Sequence, residues 1–217
     1  MNLKEKAYDI IKKRIINGEY LPGQMLNEKQ IIEEINVSRT PFREAINALS
    51  KENLVNIFPN RGMFVSEITI KDIADLYTVR AELEPFAVKL AIPNIPKDAL
   101  LMLKKKLEKY IDEGEHANYG DIVKDDEDLH NMILKYAGNI YLSRMMENIF
   151  EHNQRVRVLS TRSPEDVIET LKQHMVILDA MLRGDAEEAA NEMKNHIISS
   201  RERAFEHILK NGVFSLK

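Results

Sequence analysis

The chain has 217 residues and no cysteine, which excludes disulfide bonds and cysteine-ligated zinc and leaves histidine and carboxylate as its main metal-binding side chains. No apolar run approaches the roughly 20 residues that span a bilayer, and the start lacks the apolar core of a signal peptide, so we expect a cytoplasmic protein and no membrane partner. The net charge is −4, yet residues 1–68 carry ten basic and nine acidic side chains, so the acidic excess lies in the remainder.

The first third of the chain has the element order of a winged helix-turn-helix. Apolar spacing predicts a helix over Leu3–Ile16, a short one capped by Asn27, and a third capped by Ser38. The β-prone runs Leu54–Phe58 and Met63–Ser66 follow and are joined by a turn-forming segment, which predicts a β-hairpin. We therefore predict a DNA-binding domain over residues 1–67.

The third helix is the predicted reading element. Its first turn directs arginines outward, and in helix-turn-helix proteins that end enters the major groove, where arginine grips guanine with two hydrogen bonds. The backbone amides at the same end favour phosphate, and an arginine at the hairpin tip is suited to the minor groove. We predict DNA contacts at Ser38, Arg39, Thr40, Arg43, Arg61 and Gly62.

Several strings in this region together resemble the GntR superfamily of bacterial transcription regulators. The resemblance implies a homodimer on a near-palindromic double-stranded operator, and it adds Lys29 to the expected DNA contacts. The family usually has glycine where this chain has Asn53, but asparagine tolerates left-handed geometry, so we expect the turn to form. The strings are Gly18–Gly23, Val37–Ala45, Asn53–Val55 and Asn60–Val65.

After a short linker at 68–71, the pattern is helical throughout. Thr69 with Asp72, and Ser163 followed by Pro164, are typical of helix starts. Six helices are expected, over 70–91, 96–118, 121–137, 139–160, 164–183 and 185–210. The predicted fold class is mainly α: three helices plus a β-hairpin, then an all-α antiparallel bundle over 72–217 for effector binding, metal binding and dimerisation.

Four polar residues are spaced as if to meet inside that bundle. Asp126 and His130 lie four apart and share a helix face, while His174 and His196 lie eleven residues before and after Asp185, which follows Gly184 in a predicted hairpin turn. Two antiparallel helices folded back there would bring both rings to the same height. We predict one divalent metal per chain. Imidazole and carboxylate suit Zn²⁺, Ni²⁺, Mn²⁺ or Fe²⁺ and do not by themselves choose among these ions; we expect Zn²⁺ or Ni²⁺ first, with Mn²⁺ or Fe²⁺ as alternatives.

This second part resembles the FCD-type ligand-binding domain of the FadR-like branch of the same superfamily, in its shorter, VanR-like six-helix version. Many members bind a divalent metal through one aspartate and three histidines, and those positions are filled here by the four residues above. The segments that carry the resemblance are Leu76–Pro85, Asp126–Ile133, His174–Ala180 and Gly184–His196.

We expect a small organic acid as the effector. Arg80 is the first candidate to hold its carboxylate, although an ordinary ion pair with Glu84 four residues on is the alternative. Arg155 and Arg157 are further candidates for effector binding. The leading hypothesis is a metabolite-responsive transcription repressor that its ligand releases from DNA.

Two other functions fit parts of the pattern. The four ligands could activate water in a metal-dependent hydrolase, but no serine, cysteine or glutamate is placed beside them as a base, so we expect no enzyme and assign no catalytic residue. The other alternative is a DNA-binding adapter whose helical part only dimerises, with the four polar residues structural.

Overall fold

The computed structural model describes residues 2–114, 119–160 and 163–211, without the side chains of 119–127, 159, 210 and 211. The described chain is mainly helical, as predicted. It divides into two compact units. The first holds residues 2–72 and Phe150–Ser160, and the second holds Ile73–Ile149 and residues 163–211.

The first unit has the predicted winged helix-turn-helix order. Helix α1 packs against α3, and the β-hairpin follows α3. Its core is formed by the apolar faces of the three helices, with Ile11, Phe42 and Leu49 fully enclosed. The elements are α1 (Leu3–Ile16), α2 (Glu28–Ile35), α3 (Arg39–Lys51), β1 (Val55–Phe58) and β2 (Gly62–Val65). The two strands are antiparallel, with Val55 opposite Val65 and Phe58 opposite Gly62.

Asparagine serves at the tight turns of this unit. Asn36, which ends α2, has φ 53°, and Asn53, which follows α3, has φ 58°. Both lie in the left-handed region, which asparagine enters more readily than other residues with a side chain. The turn at Asn53 therefore forms without the glycine that is usual there.

The helix caps are only partly as predicted. The Asn27 side chain accepts a hydrogen bond from the backbone amide of Gln30 (3.2 Å) and so caps α2. Ser38 occupies the capping position of α3, but its side chain makes no capping hydrogen bond. A capping serine accepts from the second or third amide of the helix, and the third residue here is Pro41, which has no N–H. The expectation that the Ser38 hydroxyl caps α3 was wrong.

The described helices that follow correspond to the six expected ones. They are α4 (Ile70–Ala91), α5 (Lys97–Glu113), α6 (Tyr119–Ala137), α7 (Ile140–Leu159), α8 (Pro164–Arg183) and α9 (Ala186–Asn211). Helix α5 ends at Glu113, five residues earlier than predicted. Gly114 follows it with φ +55°, a conformation that terminates a helix readily in glycine.

Helices α8 and α9 form the antiparallel hairpin on which the predicted metal site depends. Helix α8 begins with a capping box, in which Ser163 and Asp166 exchange hydrogen bonds with each other's backbone amides (both 3.2 Å). It ends at Arg183, and Gly184, which has φ 76°, follows it and reverses the chain into α9. Helix α5 also packs against α8.

The carboxyl-terminal half of α7 lies with the first unit. Lys12 of α1 forms an ion pair with Glu151 (2.7 Å), and the His152 Nε2 donates to the backbone carbonyl of Glu52 (3.0 Å). The sequence-based boundaries place this half-helix in the second domain, whereas the contacts place it in the first unit. The domain boundaries at residues 67 and 72 remain a prediction.

Within the described part of the chain, every helix is too short or too polar to serve as a transmembrane segment.

Candidate metal centre and DNA interface

Three of the four predicted metal ligands lie together in the second unit. His130 on α6, His174 on α8 and His196 on α9 are all buried. Each offers a ring nitrogen, and these nitrogens lie within 4.8 Å of one another. The Nε2 atoms of His174 and His196 are 3.2 Å apart. The α8–α9 hairpin thus brings the two rings to the same height.

The spacing of the nitrogens suits a metal. Two nitrogens bound to one Zn²⁺ at about 2.0–2.1 Å would be about 2.8–3.4 Å apart, between octahedral and tetrahedral angles. The separation between His174 and His196 falls in that range. A buried set of three imidazoles is also a donor set that divalent transition metals favour.

Glu84 and Arg80 orient His130 from α4. The Nδ1 of His130 donates to one oxygen of the Glu84 carboxylate, and the Arg80 Nε donates to the other (2.6 Å). Both side chains of this ion pair are almost completely buried. Because Nδ1 contacts Glu84, Nε2 is the nitrogen that His130 would offer to a metal, an arrangement common at metal-binding histidines.

The electrostatics keep Glu84 ionised. Burial alone would raise the pKa of the Glu84 carboxyl, but the adjacent Arg80 and His130 attract and hydrogen-bond the charged form and lower this pKa from 4.5 to about 2. The Arg80 guanidinium also lies over the Tyr77 ring, 5.0 Å from its centroid. Arg80 thus forms the i,i+4 ion pair that was the alternative to effector binding.

Gln173 and Arg203 lie on the other side of the centre. The Nδ1 of His196 donates to the Gln173 Oε1 (3.1 Å), and Arg203 Nη2 donates to the same oxygen (3.3 Å). Neither residue is among those predicted from the sequence. The position of Gln173 beside His174 gave a weak signal, but its contact is with His196 on the neighbouring helix, which only the folded hairpin reveals.

The remaining predicted residues of the second part are located as follows. Asp126, the fourth predicted ligand, lies outside the residues whose side chains the structure describes. Arg155 is buried in the first unit and donates to the backbone carbonyl of Ser66 (2.6 Å). Burial lowers the pKa of Arg155 to about 10 despite the nearby Asp72, so it stays charged at neutral pH. Arg157 is half-buried on the same stretch of α7.

The predicted DNA-contacting residues of the first unit are exposed. The side chain of Arg39 is 81% exposed and that of Arg43 65%. Thr40 and Lys29 are also exposed. Glu28, the first residue of α2, lies beside the two arginines, with its Oε1 3.3 Å from the Arg43 Nε. The first turn of α3 therefore presents two exposed arginines, as a groove-reading element requires.

The tip of the hairpin carries the second predicted contact. Arg61 is exposed, and its backbone amide donates to the Phe58 carbonyl (3.1 Å) to close the turn. Gly62 follows with φ +110°, a conformation that side-chain-bearing residues rarely adopt. Ser38, at the start of α3, is exposed as well.

Two family models match the chain. Residues 3–65 match the model described as bacterial regulatory proteins, gntR family, and residues 75–199 match the FCD domain. The first match corresponds to the winged helix-turn-helix. The second contains Arg80, Glu84 and all three clustered histidines.

Known proteins of the same class align over most of the chain. The uncharacterised HTH-type transcriptional regulator YdhC of Bacillus subtilis (strain 168) is 28% identical over 94% of this chain and 92% of its own. The gluconate operon transcriptional repressor of the same organism is 30% identical, over 82% and 75%. The HTH-type transcriptional repressor RspR of Escherichia coli (strain K12) is 26% identical, over 90% and 86%. These relatives are regulators, not enzymes, which rules against the hydrolase alternative.

Solved structures support the fold. E. coli McbR/YncC has a TM-score of 0.77 at 21% identity and covers 95% of this chain and 98% of its own. The metal-free FCD domain of TM0439 has a TM-score of 0.57 at 19% identity and covers 66% of this chain and 98% of its own. The molecule is a DNA-binding transcription regulator with a ligand-binding domain. The chain belongs to the GntR family of bacterial regulatory proteins, with an FCD domain after its winged helix-turn-helix.

Proposed function

We propose that this regulator is a cytoplasmic repressor that a small carboxylate effector releases from DNA, and that the effector binds at or beside a metal ion in the FCD domain. The convergence of His130, His174 and His196 in a buried site carries the metal part of the proposal. The family membership supports the DNA-binding and ligand-binding parts.

One divalent ion per chain, Zn²⁺ or Ni²⁺ in the first place, would be held by the three histidines. Asp126 is the proposed fourth ligand, because it lies four residues before His130 on the same helix. Such an ion supplies an electrophilic centre that attracts a carboxylate oxygen. Glu84 and Gln173 would hold two of the imidazoles in the orientation for binding.

The names of the relatives support repression, rather than activation, and a carboxylate effector. Two of them are repressors, and one of these belongs to a gluconate operon. Gluconate is a hydroxycarboxylate, a class whose carboxylate and hydroxyl oxygens suit a metal with open positions. Arg80, Arg155 and Arg157 remain predicted effector contacts, and Arg80 is the one whose ion pair adjoins a proposed ligand.

A homodimer would present two copies of α3 to successive major grooves of a near-palindromic operator. Arg39, Thr40 and Arg43 would read base edges, while Lys29, Ser38, Arg61 and Gly62 would support the contact. The effector would weaken DNA binding by its difference in affinity between the DNA-competent and the released state.

The metal part is tested on protein purified without chelator. We expect about one equivalent of divalent metal per chain by elemental analysis, and a lower melting temperature after chelation, because metal binds the native state. His174→Ala should lose both the metal and the chelator effect. If the wild type contains no metal and its melting temperature does not change with chelator, the result would instead favour the DNA-binding adapter whose helical domain is structural.

The regulatory part is tested by gel shift with operator DNA that the wild type selects from a random duplex pool. Carboxylic acids that raise the melting temperature should reduce the shifted fraction. An acid that stabilises the protein but strengthens DNA binding would contradict the proposal that the effector releases the regulator from DNA.

A further inference from the structure

The Nδ1 of His196, which faces away from the proposed metal site, belongs to a connected chain of hydrogen bonds. The family match gives this chain of hydrogen bonds no role. His196 Nδ1 donates to the Gln173 Oε1 (3.1 Å), and Arg203 Nη2 donates to the same oxygen (3.3 Å). The Gln173 side chain on α8 therefore joins the ring of His196 to an arginine two turns further along α9.

Arg203 is held firmly at its end of the chain. Its Nη1 donates to the Ser199 hydroxyl (2.7 Å), and its Nη2 lies within hydrogen-bond distance of the hydroxyls of Ser200 (3.1 Å) and Thr170 (3.2 Å). These hydroxyls come from both α8 and α9. The guanidinium is thus fixed relative to the hairpin that carries His174 and His196.

This geometry determines which way the Gln173 amide faces. A guanidinium has only donors, so the atom that Arg203 contacts must be the amide oxygen. The amide nitrogen then faces two acceptors, the Ser199 hydroxyl (3.1 Å) and the Glu169 carboxylate (3.3 Å). The reverse orientation would set an NH₂ group against the guanidinium.

The amide orientation in turn determines the tautomer of His196. An oxygen facing Nδ1 requires a proton on that nitrogen, which leaves the lone pair on Nε2. The His196 Nε2 is the atom that lies 3.2 Å from the His174 Nε2, at the proposed metal site. A histidine with the opposite tautomer would direct a proton, and not a lone pair, at the ion.

We infer that Gln173 and Arg203 are positioning residues of the metal centre, which select the metal-binding tautomer of His196. This inference rests on the proposed metal site and deepens it. The contacts of His196 resemble those of His130, where Glu84 accepts from the ring and Arg80 hydrogen-bonds the Glu84 carboxylate. Each of these two imidazoles would be oriented by an acceptor that an arginine fixes.

Because Arg203 is charged, a purely electrostatic role and a positioning role predict opposite changes in metal affinity when it is replaced. Removal of a cation close to a divalent metal should tighten metal binding if electrostatics alone matter. The positioning role predicts the opposite, because His196 would lose its orientation; loss of an outer contact typically weakens metal affinity about 10- to 100-fold.

The experiment uses the full chain and Zn²⁺ in competition with a chromophoric chelator. Gln173→Leu and Arg203→Met should each bind Zn²⁺ about 10- to 100-fold more weakly than the wild type. Gln173→Glu keeps the acceptor and should bind at least as tightly as the wild type. Lys172→Ala, which removes an exposed charge from α8 next to Gln173, is the control and should stay near the wild-type value.

The tautomer itself is read by proton–nitrogen NMR of the zinc-free protein labelled at histidine nitrogens. His196 should carry its proton on Nδ1 in the wild type and in Gln173→Glu, and lose that preference in Gln173→Leu, even if Arg203→Met does not fold. Wild-type affinity for Zn²⁺ in Gln173→Leu, or tighter binding in Arg203→Met, would overturn the inference alone. A wild type that binds no Zn²⁺ would remove the proposed metal site and the inference with it.

Discussion

At the scale of single residues, His152 is a half-buried histidine of α7 that contacts the residue after α3 in the first unit. Its Nε2 donates to the Glu52 carbonyl. Burial lowers the pKa of His152, while the contact with that carbonyl partly opposes the shift. The charged groups that act on the ring are Arg155, Glu151 and Asp72, of which the arginine lowers the pKa and the two acids raise it.

A lowered histidine pKa in the folded state makes the protein less stable as the pH falls. The unfolded histidine, with a pKa of about 6.5, takes up a proton before the folded one does. Neutral His152 therefore contributes stability that is fully present above about pH 6.5 and is lost as the pH falls through the folded pKa. His152→Gln, which keeps a donor for Glu52, should show a shallower loss in urea unfolding between pH 7.5 and 5.5. Parallel pH profiles for the two proteins would contradict the assignment.

Glu84 is the residue whose charge matters most to the buried ion pair. Glu84→Gln should destabilise the metal-free protein by about 3 kcal/mol, because the buried Arg80 loses its opposite charge. Glu82→Gln on the same helix is the matched control. Its carboxylate is 69% exposed and pairs with Lys194, so the cost should stay below about 1 kcal/mol. Equal midpoints of urea unfolding for the two variants would refute the buried-pair energetics.

At the scale of elements, the α8–α9 hairpin depends on one residue at its turn. Gly184 has φ +76°, and a Cβ built on it meets nothing within 4 Å. A substitution there is therefore strained by the backbone and not by a clash. The turn sets the register in which His174 and His196 face each other.

Gly184→Ala should reduce the free energy of unfolding by about 1 kcal/mol, the cost of left-handed geometry for a residue with a Cβ. Gly184→Asn should cost less, since asparagine enters that region more readily. Zn²⁺ binding should survive in both, because no side chain near the turn is displaced. If alanine is as stable as glycine in urea unfolding, the turn is not left-handed in solution.

At the scale of the whole molecule, DNA reading and metal binding are assigned to separate sets of residues. Arg39→Ala should lower the preference for selected operator over random DNA by one to two orders of magnitude, because a bidentate contact with guanine contributes about 1–3 kcal/mol. Zn²⁺ affinity should be unchanged. Lys13→Ala removes an exposed charge of α1 and is the control for charge alone. Loss of both activities in Arg39→Ala would show that the two functions are not separable.

The residue patterns predicted much of this molecule because they report local physics. Apolar spacing and capping residues such as Asn27 and Ser163 depend on neighbours within one turn, so the helices and the hairpin could be predicted. Ser38 was the exception: Pro41 removes one of the two backbone amides that a capping serine can bond, a local conflict that is visible at the third helix position of the sequence. Gly114, which follows the end of α5 at Glu113, is a second local signal, because glycine readily takes the positive-φ conformation that terminates a helix.

The sequence by itself determined the fold class and the DNA-binding family. It also marked His174 and His196 as candidate metal ligands, because both lie eleven residues from Asp185 in the hairpin turn. Only the tertiary structure decided which acceptors face the imidazoles. Glu84, Gln173 and Arg203 lie on helices whose relative rotation is set by side-chain packing across the bundle. That packing is a contact between distant parts of the chain, and no periodicity within a single helix encodes it.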